Sequence, residues 1–228
     1  MKHWRRWLVM TGMLLILVTT AFLAACTTSH DDNHMATESM PHSSGEQGMM
    51  DHGMADDMDH GMDLGPADDS YDLRFIDGMI IHHEGAVEMA REAQLKSQRP
   101  EILELADAVI AAQAEEIGLM SRWKNEWYPQ ADSTPVAYDP ASGRTVPMSQ
   151  AHITAMKMSG DLGAKDDQFD LRFIEAMIPH HQSAVDMALD ALDKTQRAEI
   201  RNMANEIIAA QEAEINLMMS WKSLWYGR

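Results

Sequence analysis

The sequence predicts an all-α protein, a four-helix bundle built from two duplicated helical hairpins behind a polar leader. Three observations carry that expectation. Sliding the 228-residue chain against itself by 98 positions gives a gapless match in which residues 72–128 and 170–226 agree at 32 of 57 positions, which marks a repeated structural unit. Within each copy the apolar residues recur at three- and four-residue steps, as on one face of an amphipathic helix. Strand-like alternation of useful length is missing throughout.

The chain opens with a segment that reads as an export signal. Lys2, Arg5 and Arg6 precede an apolar run from Trp7 to Phe22, and small residues lead to Cys26. This is the layout of a secretory leader, with an uncleaved membrane anchor as the other reading of so long a run. The stretch "LAAC" resembles the lipobox of bacterial lipoproteins, which implies a signal peptide at 1–26 and lipidation of Cys26. Because Cys26 is the chain's single cysteine, an intramolecular disulfide is excluded. The expectation is an exported protein, lipid-anchored to the periplasmic or cell-surface face of the envelope. Without residues 1–26 the chain holds 15 Lys and Arg against 36 Asp and Glu, a net −21 with histidine neutral. Such a surface repels nucleic acid and gathers cations. It also serves solubility alone.

Residues 27–67 combine seven methionines and five histidines with nine acids and no base. Low hydrophobicity with high charge predicts disorder. Disorder removes core filling as a reason for methionine, and Met/His tracts are a metal-binding composition. His52, Met54, Met58, His60 and Met62 are the candidate ligands here. The repeat register extends backward, so that Met50, Met54, Met58 and His60 align with Met148, His152, Met156 and Met158. Each hairpin therefore has its own Met/His leader.

The first hairpin spans 68–128. Phe75, Ile76, Met79, Ile80, His83 and Val87 form the stripe of its first helix, with Asp68 and Asp69 at the positive end of the dipole. Pro100 suits the first turn of a second helix, whose stripe runs Ile102, Leu105, Val109, Gln113, Ile117 and Met120. Residues 129–147, with four prolines, read as a linking loop, and 148–228 repeat the hairpin with its leader. One amphipathic hairpin cannot bury its stripe alone; two can.

Adjacent histidines sit mid-helix at matching places, His82-His83 and His180-His181. Met79 and Met177 precede them by three and four residues, so thioether and imidazole can reach one ion from the same helix face. Thioether with imidazole suits copper, Cu(I) in particular, better than Mg²⁺ or Ca²⁺. The other reading is core methionine beside a hydrogen-bonded histidine. Gln113 with Glu116, and Gln211 with Glu214, are polar pairs on the second helices that could orient the imidazoles or lie on the surface. Pro179 replaces the aligned Ile81, and a mid-helix proline predicts a bend that makes the two histidine pairs inequivalent. The Glu-x-x-His motifs of di-iron bundles are absent, as are HExxH, P-loop and GxSxG patterns. No hydrolase or phosphoryl-transfer reading has support.

The paired "MI-x-HH-x-x-AV-x-MA" and "Q-x-x-E-I-x-x-M" segments resemble the DUF305 family over roughly 50–128 and 148–226. The resemblance implies a ferritin-like helical hairpin and, for some exported members, copper binding and tolerance. It places the family's histidine pairs on His82-His83 and His180-His181, its methionine on Met79 and Met177, and its leader ligands on Met148, His152, Met156 and Met158. The expected function is an exported, non-enzymatic lipoprotein that sequesters copper, as Cu(I) or Cu(II), or hands it to another envelope copper protein. The alternatives are a metal-independent structural or interaction lipoprotein, whose melting copper leaves unchanged, and a copper redox enzyme, which a spectrum of the isolated protein would reveal.

Overall fold

The computed structural model describes residues 62–228, all within one compact unit that spans 49–228. The export segment, Cys26, and the leader candidates His52, Met54, Met58 and His60 lie outside the described residues. The first long helix, α1 (Tyr71–Lys96), carries Asp72 in its first turn and Lys96 in its last, both favourable to the helix dipole. It ends at extended Ser97 and is followed after three residues by α2 (Pro100–Trp127). There Pro100 takes the first helical position after extended Arg99, the conformation a residue before proline prefers. The second copy repeats this with α4 (Phe169–Lys194) and α5 (Ala198–Tyr226). Among the described residues, no helix is long and apolar enough to cross a membrane.

The segment expected to be a plain loop contains more. Residues Val136–Asp139 (β1) pair antiparallel with Arg144–Pro147 (β2), and a short helix, α3 (Gln150–Lys157), follows. The prolines do not prevent this, because they stand at strand ends and in the turn, where no ladder donor is needed. Tertiary contacts hold the ribbon: the Val136 amide donates to the Asp77 carboxylate of α1 (2.9 Å), and Ala137 is buried. Tyr138 fills the space over Gly65, where any side chain would overlap its ring. Ser149 caps α3, accepting from the His152 amide at 3.1 Å.

The hairpins meet through their first helices. Tyr71 donates to Asp190 (2.7 Å) and Thr195 to Asp72 (2.6 Å), so the start of α1 lies at the end of α4. At the other end Arg99 reaches Asp170 (3.2 Å), as Arg197 reaches Asp72 (3.1 Å). The two helices therefore run antiparallel, related by a pseudo-two-fold axis. Two apolar cores result, each drawn from all four long helices. One joins Phe75, Ile76 and Met79 to Met120 of α2, Met187 of α4 and Met203 of α5. The other joins the aligned Phe173, Ile174 and Met177 to Met218, Met89 and Leu105. Full burial of each such side chain contributes roughly 1.5–3 kcal/mol, and the gap between the cores is where the axis crosses the histidines. Arg197 lies over Trp127 and Arg99 over Trp225, at 4.2 and 4.4 Å.

The proline expected to bend the second copy, Pro179, lies inside a continuous helix. Helix α4 runs from Phe169 to Lys194 through it, and the contacts of His181 repeat those of His83.

Candidate metal centre

His82 and His83 of α1 and His180 and His181 of α4 are each fully buried. Antiparallel packing brings His82 and His180 face to face, with ring centroids 3.8 Å apart and planes tilted by 44°. The outer rings stand 6.5 Å (His83 from His82) and 6.3 Å (His181 from His180) away. Two pairs that the sequence could only place on separate helices thus form one quartet.

Each Nε2 has a polar neighbour. His181 Nε2 lies 2.7 Å from Glu214 Oε2. His83 Nε2 lies at the same distance from Glu116 Oε2, though off the line of a hydrogen bond. His180 Nε2 faces the Lys157 carbonyl at 3.1 Å, and His82 Nε2 faces the Ser183 hydroxyl at 2.6 Å. The four Nδ1 atoms are buried with no hydrogen-bond partner, as are the Oε1 atoms of the buried Gln113 and Gln211. An unmet buried polar atom costs about 1–3 kcal/mol, so their concentration here is chemically significant. Burial, then the nearby His180, hold the His82 pKa well below its usual value. Burial, then His181, push His180 down to about 3. At neutral pH these two imidazoles are uncharged, the form in which a ring nitrogen can hold a cation.

Sulfur also reaches the quartet. Met158, which ends α3 in the left-handed conformation (φ 46°), sets its Sδ 3.3 Å from Ser183 Oγ. The same hydroxyl lies 2.8 Å from the His180 carbonyl. The segment Lys157–Leu162 forms a strap along α1: Lys157 pairs with Glu84 (3.7 Å) and Glu88. Ser159 donates to Glu88 (2.8 Å), and the Leu162 amide to Glu92 (3.2 Å). Beside the strap is an open cleft of about 440 Å³ lined by Glu88, Glu92, Asp161, Lys96 and Met89, but by no histidine.

The remaining candidates are distributed as follows. Met79 and Met177 are fully buried, one in each core, and Met148 and Met156 belong to the first core. Met62 packs against that core. His152 is half-buried on α3. Among the described residues no three His, Cys, Asp or Glu side chains are grouped as a metal cage. A cation held by the quartet would therefore need sulfur as well as nitrogen or a shift of side chains, and a soft ion tolerates the low coordination number that results. The imidazoles were legible in the sequence, and the glutamates beside them as one of two readings; Ser183, Gly85 and the Lys157 carbonyl were not. The one signal was the Gly85/Ser183 difference beside otherwise matching histidines.

Known proteins supply independent comparisons. The profile of DUF305, a domain of unknown function, matches residues 72–222. The solved structure of CopM in its Cu(II)-bound form is 37% identical with a TM-score of 0.55; the Cu(I)-bound form gives 34% and 0.53, and a silver-soaked form 34% and 0.54. Each match covers 68% of this chain and 97% of CopM. The uncharacterized protein L153 of Acanthamoeba polyphaga mimivirus is 37% identical over 51 residues, 22% of this chain and 34% of that protein. The chain thus spans about a third of that relative.

Proposed function

This chain belongs to the DUF305 family, and on that premise we propose that it is an exported, copper-binding lipoprotein that sequesters the ion or hands it to another envelope copper protein. The observation that carries this is the quartet of buried imidazoles with unpartnered Nδ1 atoms and a thioether at its edge. Copper is cargo here, and no turnover is proposed. Neutral imidazole with thioether suits Cu(I), and likeness to a protein solved with Cu(I), Cu(II) and silver bound points the same way. In the proposed division, 1–26 is a lipoprotein signal peptide ending at Cys26, which stays as the lipidated anchor, and 27–67 captures the ion with His52, Met54, Met58, His60 and Met62. Residues 68–128 and 148–228 then hold it between them, joined by the 129–147 linker. Met158 with His82 and His180 is the receiving end; Met79, Met177, Met148, Met156 and His152 support the protein around it.

The test is Cu(I) titration of lipid-free mature protein against a variant lacking the leader Met and His residues and both histidine pairs. Tighter binding and higher stoichiometry in the native protein are expected. Equal binding by the two would sink the proposal and favour an envelope interaction protein.

A further inference from the structure

The pseudo-two-fold axis relates His82 to His180 but not their Nε2 partners. The aligned positions Gly85 and Ser183 explain the difference. At Gly85 a side chain would overlap the Lys157 carbonyl oxygen and approach His180 Nε2 to 3.1 Å. Glycine is what lets the strap lie against α1 with that carbonyl aimed at His180. Among the described residues no strap carbonyl serves His82, and at the aligned place in α4 a serine hydroxyl faces it. Two different residues thus meet one requirement, an oxygen opposite each inner Nε2.

The chemistry of those oxygens sets the ring protons. A carbonyl can only accept, so His180 must carry its proton on Nε2. Ser183 has one hydroxyl proton; given to the His180 carbonyl or Met158 Sδ rather than to His82, it leaves Oγ to accept from His82 Nε2–H. The outer rings face carboxylates through the same nitrogen. We propose that Gly85 and Ser183 are positioning residues that fix His180 and His82 as Nε2–H tautomers, so that both inner imidazoles offer Nδ1 as the donor for a soft monovalent cation. The donor assignment rests on the metal-binding reading above; the tautomers do not. An imidazole whose N–H is engaged by an oxygen is held in orientation and made a stronger donor at its other nitrogen.

Long-range ¹H–¹⁵N correlation spectra of the ¹⁵N-labelled, metal-free mature protein test this. His82 and His180 are expected with protonated Nε2 and bare Nδ1, and a protonated Nδ1 on either overturns the proposal. In Ser183→Ala the His82 pattern should become a tautomer mixture while His180 keeps its own, with Ser183→Thr restoring the single form. Gly85→Ala should do the reverse. An unchanged His82 pattern in Ser183→Ala removes the role of Ser183. Adding Ag(I), a diamagnetic stand-in, should move Nδ1 resonances of the inner rings. Movement at Nε2 overturns the donor assignment while metal binding survives. No movement at either nitrogen overturns the metal reading with its donor assignment and leaves the tautomers standing on the metal-free spectrum.

Discussion

Among the described residues the first hairpin is roofed and the second is not, although the two share more than half of their aligned residues. Arg74 of α1 is fully buried. It holds the Leu64 and Pro66 carbonyls at 2.6 and 2.7 Å, Asp68 at 2.8 Å and Thr145 of the β ribbon at 2.6 Å. The aligned Arg172 makes the same reach to Leu162, Ala164 and Asp166 but has no ribbon above it, and a third of its side chain is exposed. Asp77 likewise is buried against Lys124 and the ribbon, whereas the aligned Glu175 pairs with Lys222 (3.0 Å) near the surface. Duplicated sequence therefore fixes the local contact, and the single linker decides which copy has that contact in a dry environment. The same polar groups are worth more where water is excluded.

That comparison can be broken by paired substitutions. Arg74→Ala should destabilise by about 2–4 kcal/mol, because it strands the buried Leu64 carbonyl and empties the space under the ribbon. Arg172→Ala should cost less than about 1 kcal/mol, as exposed pairs do. Chemical unfolding of both variants decides it, and equal losses would show that the ribbon contributes nothing. Gly85→Ala should cost about 1–3 kcal/mol by overpacking against the strap. Ser183→Ala, at a half-buried position, should cost under about 1 kcal/mol. A reversed order would mean that the strap does not lie on α1 in solution.

A smaller effect should follow pH. The folded-state pKa values of His82 and His180 are depressed by burial, while in the unfolded chain histidine titrates near 6.5. The unfolded state thus binds more protons between those limits, and stability rises with pH there. The contribution is complete above about pH 6.5 and is lost as pH falls toward the His180 value of about 3. Metal-free protein should lose about 1–3 kcal/mol between pH 7 and 5.5. This would be seen as a lower melting temperature, and His180→Gln should flatten the slope. A flat profile in the native protein would show that these rings are not desolvated.

Much of this was legible in the chain. The 98-residue offset and the helical stripe gave the four long helices, and the three-residue spacing of Gln113 and Glu116 left Glu116 either facing an imidazole or on the surface; in the structure it lies 2.7 Å from His83 Nε2. What was not legible depends on tertiary contact. Strands of four residues flanked by Pro135, Pro140 and Pro147 have no periodicity to detect, and they persist because Asp77 and Gly65 receive them. The meeting of His82 with His180 follows only once α1 is known to lie antiparallel on α4. Pro179 marked inequivalence at these residues; helix α4 continues through it, and the inner Nε2 partners differ through Gly85 and Ser183. Met148 and Met156, read as leader ligands, lie among apolar side chains of the first core, a role that sequence could not separate from metal binding.

The central claim is that the quartet, where the two copies converge, binds copper. The most direct measurement is the melting temperature of the mature protein with and without one equivalent of Cu(I), beside a His82→Gln, His83→Gln, His180→Gln, His181→Gln variant that keeps its leader. A ligand that binds only the native state raises stability by about 2.7 kcal/mol at a hundredfold excess over Kd. A clear rise is expected for the native protein and little or none for the variant. Equal shifts in the two, or no shift in either, would contradict it.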